Sequence, residues 1–286
     1  MLKNPLYMGV LFMVLTTFVA STAAAMSKHI GQMASVEQVV FFQYLICFLL
    51  VAQLVRKPRQ LQVGPDDIFA MLVRALSGLV AFYSYFLAIR YIPLVEATLL
   101  RTSSPLFIPL LGFLWLHTQI RLQHFLFLLM GLAGIVIILN PGISVLNAGH
   151  LLGLVSGVTV ALSVISTRKL ANSYRPQVIL FYHYLVSTLG MLPLALSHWQ
   201  PLHGMVWFYL LYIGIAVHFS LYFYTRALGL ACANSVAPII YLSVVFAGLF
   251  DALIWQYTPS LVALSGMSLV VLAGILATRF SAKNPV

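Results

Sequence analysis

The chain has 286 residues, 62% of them hydrophobic and 7% charged, with fifteen Lys and Arg against five Asp and Glu. Soluble domains run at about 25% charged and about 45–50% apolar, so a soluble enzyme, a disordered regulator and a secreted disulfide scaffold are excluded. A net charge of +10 would point to nucleic acid in a soluble chain, so here the placement of the basic residues decides what they mean.

A helix crossing a hydrocarbon layer of about 30 Å needs about 20 mostly apolar residues. Ten such stretches are readable, at 6–27, 36–55, 67–89, 93–116, 122–139, 150–170, 176–197, 204–226, 232–254 and 260–279. Charge, proline or polar clusters bound each one, and the short connections leave no room for an inserted soluble domain. The runs are apolar on nearly every face, unlike barrel strands, which alternate over about 10 residues. The expected fold is therefore an all-α membrane protein of ten transmembrane helices. Ala23-Ala24-Ala25, with Lys3 ahead of it, resembles a signal-peptidase site. The run before it is long for a signal, and the repeat described below needs it as the first span.

Orientation follows from the Lys and Arg in alternate connections. With the amino terminus inside, the cytoplasmic side holds Lys3, Arg56, Lys57, Arg59, Arg121, Arg168, Lys169, Arg175, Arg226, Arg279 and Lys283, eleven in all, and the other side only Lys28 and Arg90. Both termini are expected in the cytoplasm. The basic excess then orients the chain, and no nucleic-acid partner is expected. Cys47 and Cys232 fall inside spans and read as apolar core, with no disulfide framework or cysteine metal site.

The two halves align with a shift of about 140 residues. Phe41-Phe42-Gln43-Tyr44 matches Phe181-Tyr182-His183-Tyr184, and Leu132-Ala133-Gly134-Ile135 matches Leu272-Ala273-Gly274-Ile275. Five helices per half is an odd number, so the halves enter the membrane in opposite senses. Such inverted repeats let secondary carriers exchange inward- and outward-open states.

On these residues the chain resembles the drug/metabolite transporter superfamily, in the bacterial ten-helix form built from two EamA-like halves. The run from Tyr85-Phe86-Leu87-Ala88 through Arg90 and Pro93 to Glu96-Ala97 is similar to the family's junction between helices three and four, with Ser104-Pro105-Leu106-Phe107 behind it. Arg226-Ala227-Leu228, Ala237-Pro238 and Tyr241 are similar to the junction between helices eight and nine. Gly131-Leu132-Ala133-Gly134 and Leu272-Ala273-Gly274 resemble its motifs in helices five and ten. Departures from the pattern are His117-Thr118 and Gln256-Tyr257, where many members carry Gly-Glu, and Gln43, where an Arg is frequent. The resemblance implies a first EamA-like five-helix repeat over 1–140, a second over 141–286, and a bacterial inner-membrane location.

Ionisable groups at membrane depth usually face a cavity or a partner. Arg101 lies about 12 Å into helix four, counted from Pro93 at 1.5 Å per residue. It either holds a substrate carboxylate or phosphate, gates by pairing with an acid, or belongs to an ion pair that locks packing. Glu96 stands about 140° away around the same helix. It is either a titrating or cation-binding carboxyl or a helix-start acid favoured by the macrodipole. Asp251 is similar to Glu96, with Arg90, Lys28 or neither as its partner. His218, Tyr222 and Arg226 form one stripe, in which His218 is a substrate ligand, a proton relay or a satisfied structural histidine. Gln43 and His183 occupy equivalent positions of the repeat and are further substrate-binding candidates. Arg74 lies near the start of helix three, within reach of cytoplasmic headgroups. The resemblance puts Tyr83, Tyr85, Tyr222 and Tyr241 on pathway-lining helices, where they either stack on a planar or cationic solute or simply pack. Ser103, Ser104, Pro105 and Pro238 loosen helices four and nine beside the cavity.

No histidine pair has the i, i+4 spacing with a nearby carboxylate that a metal hydrolase needs, and no Gly-rich phosphate loop is present. No cofactor, no metal and no enzymatic activity are expected. The resemblance implies a secondary transporter of small organic metabolites, amino-acid-like or nucleoside-like, such as S-adenosylmethionine. Export of amino acids or drugs is the alternative, with a channel or intramembrane enzyme behind it. Its partners are the solute, the lipid bilayer and protons as a candidate coupling ion.

Overall fold

The structure, a computed structural model, describes residues 5–54, 61–116, 122–139, 147–171, 173–230 and 237–283. Lys3, Arg56, Lys57, Arg59, Arg121, His117-Thr118 and Cys232, which figured in the sequence reading, lie outside the described residues. All regular structure among the described residues is helical: α1 (Pro5–His29), α2 (Val36–Leu54), α3 (Pro65–Tyr91), α4 (Leu94–Thr102), α5 (Ser104–Leu116), α6 (Leu122–Leu139), α7 (Ala148–Ala171), α8 (Pro176–Ser197), α9 (Val206–Leu230), α10 (Leu242–Trp255) and α11 (Leu261–Lys283), with 3-10 turns at Ile30–Gln32 and Ala237–Tyr241. Six of these helices, α1, α2, α3, α7, α8 and α9, are long and apolar enough to cross a membrane, and Phe125–Ile137, Ile239–Trp255 and Leu261–Leu276 are shorter apolar stretches.

Local chemistry sets the boundaries. Ser35 and Gln38 form a reciprocal capping box at the start of α2, each backbone N–H donating to the other's side chain at 3.1 and 3.2 Å. Pro65 opens α3 behind Gly64, with Asp66 and Asp67 in its first turn and Arg90 in its last, as the helix dipole favours. Pro93 forces Ile92 into extended backbone, φ −129° and ψ 163°, and so ends the helix.

The stretch over 93–116, read from the sequence as one helix, is two. Pro105 has no N–H to offer the Arg101 carbonyl. The chain tightens at Ser103, whose hydroxyl donates back to Leu100 at 2.6 Å, and Leu106 N–H turns to the Ser103 carbonyl at 2.9 Å. Arg101 therefore sits in the last turn of the short helix α4, beside the break.

The most extensive helix contacts pair α3 with α7, α1 with α9, α6 with α11 and α2 with α8, while α4 packs on α7 and α10. Gly157 lets α7 close on α4: a Cβ there would lie 2.5 Å from the Leu100 carbonyl oxygen. Polarity runs opposite to that of a soluble protein. Phe69, Phe208, Leu253 and Leu261 are exposed, while Gln43, His183, Glu96 and Asp251 are buried. Such an apolar exterior suits hydrocarbon, and the interior holds the polar groups. The protein is a multi-pass membrane protein.

Candidate functional site

Two polar regions stand out, one at mid-depth and one at the end of the bundle where Pro93 lies. The central one begins with Arg101. Its guanidinium sits over Phe82 at 4.1 Å and over Tyr85 at 4.8 Å from the ring centroids, with Nη1 unpartnered among the described residues. The Tyr85 hydroxyl is occupied by Thr98 at 2.8 Å. Arg74 does not reach outward as the sequence suggests. Its guanidinium folds inward over Gly78, where a Cβ would meet Arg74 Nη1 at 2.7 Å and the His183 ring at 2.6 Å. The missing side chain at Gly78 makes that inward path available, and Arg74 Nε is buried without a partner among the described residues.

Tyr44 links the two cations, its ring packing edge-on against Phe82, on which Arg101 rests, with centroids 6.0 Å apart. Its hydroxyl donates to the Gly78 carbonyl at 3.2 Å, and its ring packs edge-on against His183 with centroids 5.2 Å apart. His183 contacts the Ser187 hydroxyl at 3.3 Å. Tyr184 lies 6.2 Å from Tyr44 and 6.4 Å from His218, ring to ring. The Tyr184 hydroxyl, His218 Nδ1 and both amide atoms of the fully buried Gln43 have no partner among the described residues. Each cation–π contact of Arg101 contributes about 2 kcal/mol at most when desolvated, against several kcal/mol to bury an ion. The aromatic shelf offsets only part of the cost of holding this charge.

The second region ties many elements together at the Pro93 end. Lys28 of α1 donates to Asp251 of α10 at 2.8 Å, and the other Asp251 oxygen accepts the Val95 N–H at 2.7 Å, capping α4. Glu96 contacts His150 of α7 at 3.1 Å and accepts the Tyr257 hydroxyl at 2.5 Å. Burial, and then the Glu96 carboxylate it donates to, push the Tyr257 phenol above its ordinary range. Tyr83 donates to Glu37 at 2.7 Å, Gln38 to the Gln200 carbonyl at 2.8 Å, and Arg90 to the carbonyls of Gly31 and Ala34.

The structure thus brings Arg101, His183 and His218 to one aromatic cluster, while Gln43 is buried next to Tyr44 in the α2 sequence. It sends Glu96 and Tyr83 to the Pro93 end instead. Ser104 is buried at the start of α5. Tyr241 is buried with its hydroxyl against Gly274 of α11. Tyr222 is 45% exposed and meets Arg226, 5.9 Å from its ring, rather than the cluster. Sequence reasoning missed Arg74, Tyr44, Tyr184 and His150 as part of these regions. Among the described residues no group of His, Cys, Asp and Glu is placed to hold a metal.

Comparison with known proteins agrees with this architecture. The profile described as the EamA-like transporter family matches twice, over residues 7–140 and 147–279. The chain is 31% identical over 281 residues to the pseudopaline exporter CntI of Pseudomonas aeruginosa (strain UCBPP-PA14), covering 98% of this chain and 99% of that protein. It is 23% identical to the S-adenosylmethionine uptake transporter of Rickettsia felis, covering 92% of this chain and 90% of that one. A chain solved by crystallography shares the fold with a TM-score of 0.61 at 21% identity, over 97% of this chain and 99% of that one. From one end to nearly the other, this chain belongs to the EamA-like transporter family.

Proposed function

We propose that this chain is a ten-span secondary carrier of the bacterial inner membrane, with both termini cytoplasmic, moving a small organic metabolite by alternating access. Its halves, 1–140 and 141–286, are inverted five-helix repeats. The double family match supports this division, and so do the helix contacts. Swapping the halves turns the α3–α7 contact into α9–α1, α2–α9 into α8–α3 and α5–α7 into α10–α1, all of which are present.

The observation that carries the reading is the unpartnered polar cluster where α2 and α3 meet α8 and α9, with Arg101 of α4 lying against α3. Buried polar groups without partners cost stability, and a transported solute satisfies them in turn. In this reading Arg101, Gln43, His183 and His218 hold the solute, and Ser104 and Tyr241 flank the breaks in the two spans that shape the site. Glu96, Tyr83 and the Lys28–Asp251 pair close the periplasmic gate, with Glu96 as the coupling carboxyl. The solute is amino-acid-like or nucleoside-like, as with the relative named for S-adenosylmethionine uptake. Export is the second reading, favoured by the relative named as an exporter.

The test is counterflow in proteoliposomes over a panel of amino acids, nucleosides and S-adenosylmethionine. A solute is expected to accumulate, and Arg101→Ala to slow it at least tenfold. Ion conduction with no solute movement would falsify the carrier reading.

A further inference from the structure

We infer that the solute is an organic anion whose carboxylate groups pair with Arg74 and Arg101, an inference that rests on the carrier reading above. The chain has five acidic residues, all of them described, and none reaches either guanidinium. Glu37 is taken by Tyr83, Asp67 by Tyr174, Glu96 by His150 and Tyr257, and Asp251 by Lys28 and the Val95 N–H. Asp66 is exposed at the start of α3. The protein therefore holds two cations at mid-depth that no side-chain carboxylate of its own neutralises.

Uncompensated intramembrane charge marks a substrate path, and here its sign is fixed. A cationic solute is repelled, and a neutral one leaves both charges bare. A guanidinium presents a planar fork that matches a carboxylate two bonds at a time. Arg101 sits over Phe82, whose ring packs edge-on against Tyr44 with centroids 6.0 Å apart, and the Tyr44 hydroxyl donates to the carbonyl of Gly78, over which Arg74 folds, so the two guanidinia flank one tyrosine and a small solute lodged beside it can engage both. Gln43, Tyr184 and His218 supply unpartnered amide, hydroxyl and imidazole groups for the solute's remaining polar atoms.

The test uses the purified full-length protein in detergent, with glutarate as the dicarboxylate probe. Glutaramide is its uncharged counterpart, lysine the cation and inorganic phosphate the non-carboxylate anion, all at matched ionic strength. Glutarate is expected to raise the thermal midpoint by several degrees, and glutaramide and lysine to leave it unchanged. Arg74→Gln and Arg101→Gln should each remove most of that shift. Without probe, both variants should unfold no lower than wild type, because each removes a charge that no carboxylate neutralises and whose remaining contacts offset only part of its desolvation. The inference is overturned if glutarate gives no shift, if the double variant keeps the shift, or if phosphate shifts the midpoint and glutarate does not. A steep drop in the ligand-free midpoint of either variant overturns it too, since a guanidinium that holds the fold together already has its partner. The two readings fail separately. Glutarate binding without solute movement in proteoliposomes leaves the anion site and removes the carrier. Counterflow of a neutral or cationic solute unaffected by either substitution leaves the carrier and removes the anion site.

Discussion

Asp251 is a buried charge and Arg101 a half-buried one, and their neighbours give them opposite roles. Asp251 has no exposed surface, and its two oxygens are filled by Lys28 and the Val95 N–H. Removing one member of a buried, hydrogen-bonded pair costs on the order of 3 kcal/mol, mostly because the other is left unpaired. Asp251→Asn should therefore lower the denaturant midpoint in micelles, and adding Lys28→Met should recover part of the loss. Equal midpoints for Asp251→Asn and wild type would remove the pair from any structural role. At this scale the sequence was legible where choices were few. Five acids made Lys28 a nameable partner for Asp251, and the depth of Arg101 followed from helix rise. Arg74 was not legible, because its direction depends on the gap that Gly78 leaves on the same face. His150 was hidden as well, since its partner Glu96 lies 54 residues away in the chain.

The break between α4 and α5 is the element on which the central cluster turns. Pro105 withholds the N–H that would close the helix, and Arg101 ends up in the terminal turn. Pro105→Ala supplies that N–H and makes a continuous helix favourable, by up to about 3 kcal/mol on the helix-interior scale. The variant should unfold no lower than wild type yet transport more slowly, a split that counterflow and a melting curve read together. Loss of both would mean that Pro105 serves packing alone. Gly157 sets the other constraint on α4. Gly157→Leu places a side chain against the Leu100 carbonyl, and overpacking of this kind costs about 1–3 kcal/mol, so its midpoint should fall. Helix ends were legible wherever proline, glycine or a cap marks them. The reading 176–197 coincides with α8, and 122–139 with α6. The break itself was read as loosening, because Ser103-Ser104-Pro105 is also compatible with a kink. Which of the two forms depends on packing of α4 against α7 and α10, which local sequence does not encode.

For the molecule as a whole, the lesson lies in where the polar contacts fall. Lys28–Asp251, Glu96–His150, Glu96–Tyr257 and Gln38–Gln200 each join an element before residue 140 to one after it, and all four lie at the Pro93 end. That clustering was not legible from the chain, since every member pairs across a long sequence separation. In the alternating-access scheme proposed here, a bundle latched at one end holds its solute site open toward the other. Thr98 on α4 reports on this. It stands between Glu96 and Arg101, is buried, and shares a hydrogen bond with Tyr85. With Cys47 and Cys232 replaced by serine, a Thr98→Cys thiol should react slowly with a membrane-impermeant maleimide added to the periplasmic face. Breaking the latch with Asp251→Asn and Glu96→Gln shifts the equilibrium toward the state open at the Pro93 end, by the free energy those contacts contribute to the closed one. If the contacts together contribute about 2.7 kcal/mol, the open population and the periplasmic labelling rate rise about 100-fold. Labelling as fast in the latched protein as in the double variant would mean that these contacts hold no gate, and faster labelling from the cytoplasmic side after latch removal would reverse the proposed orientation.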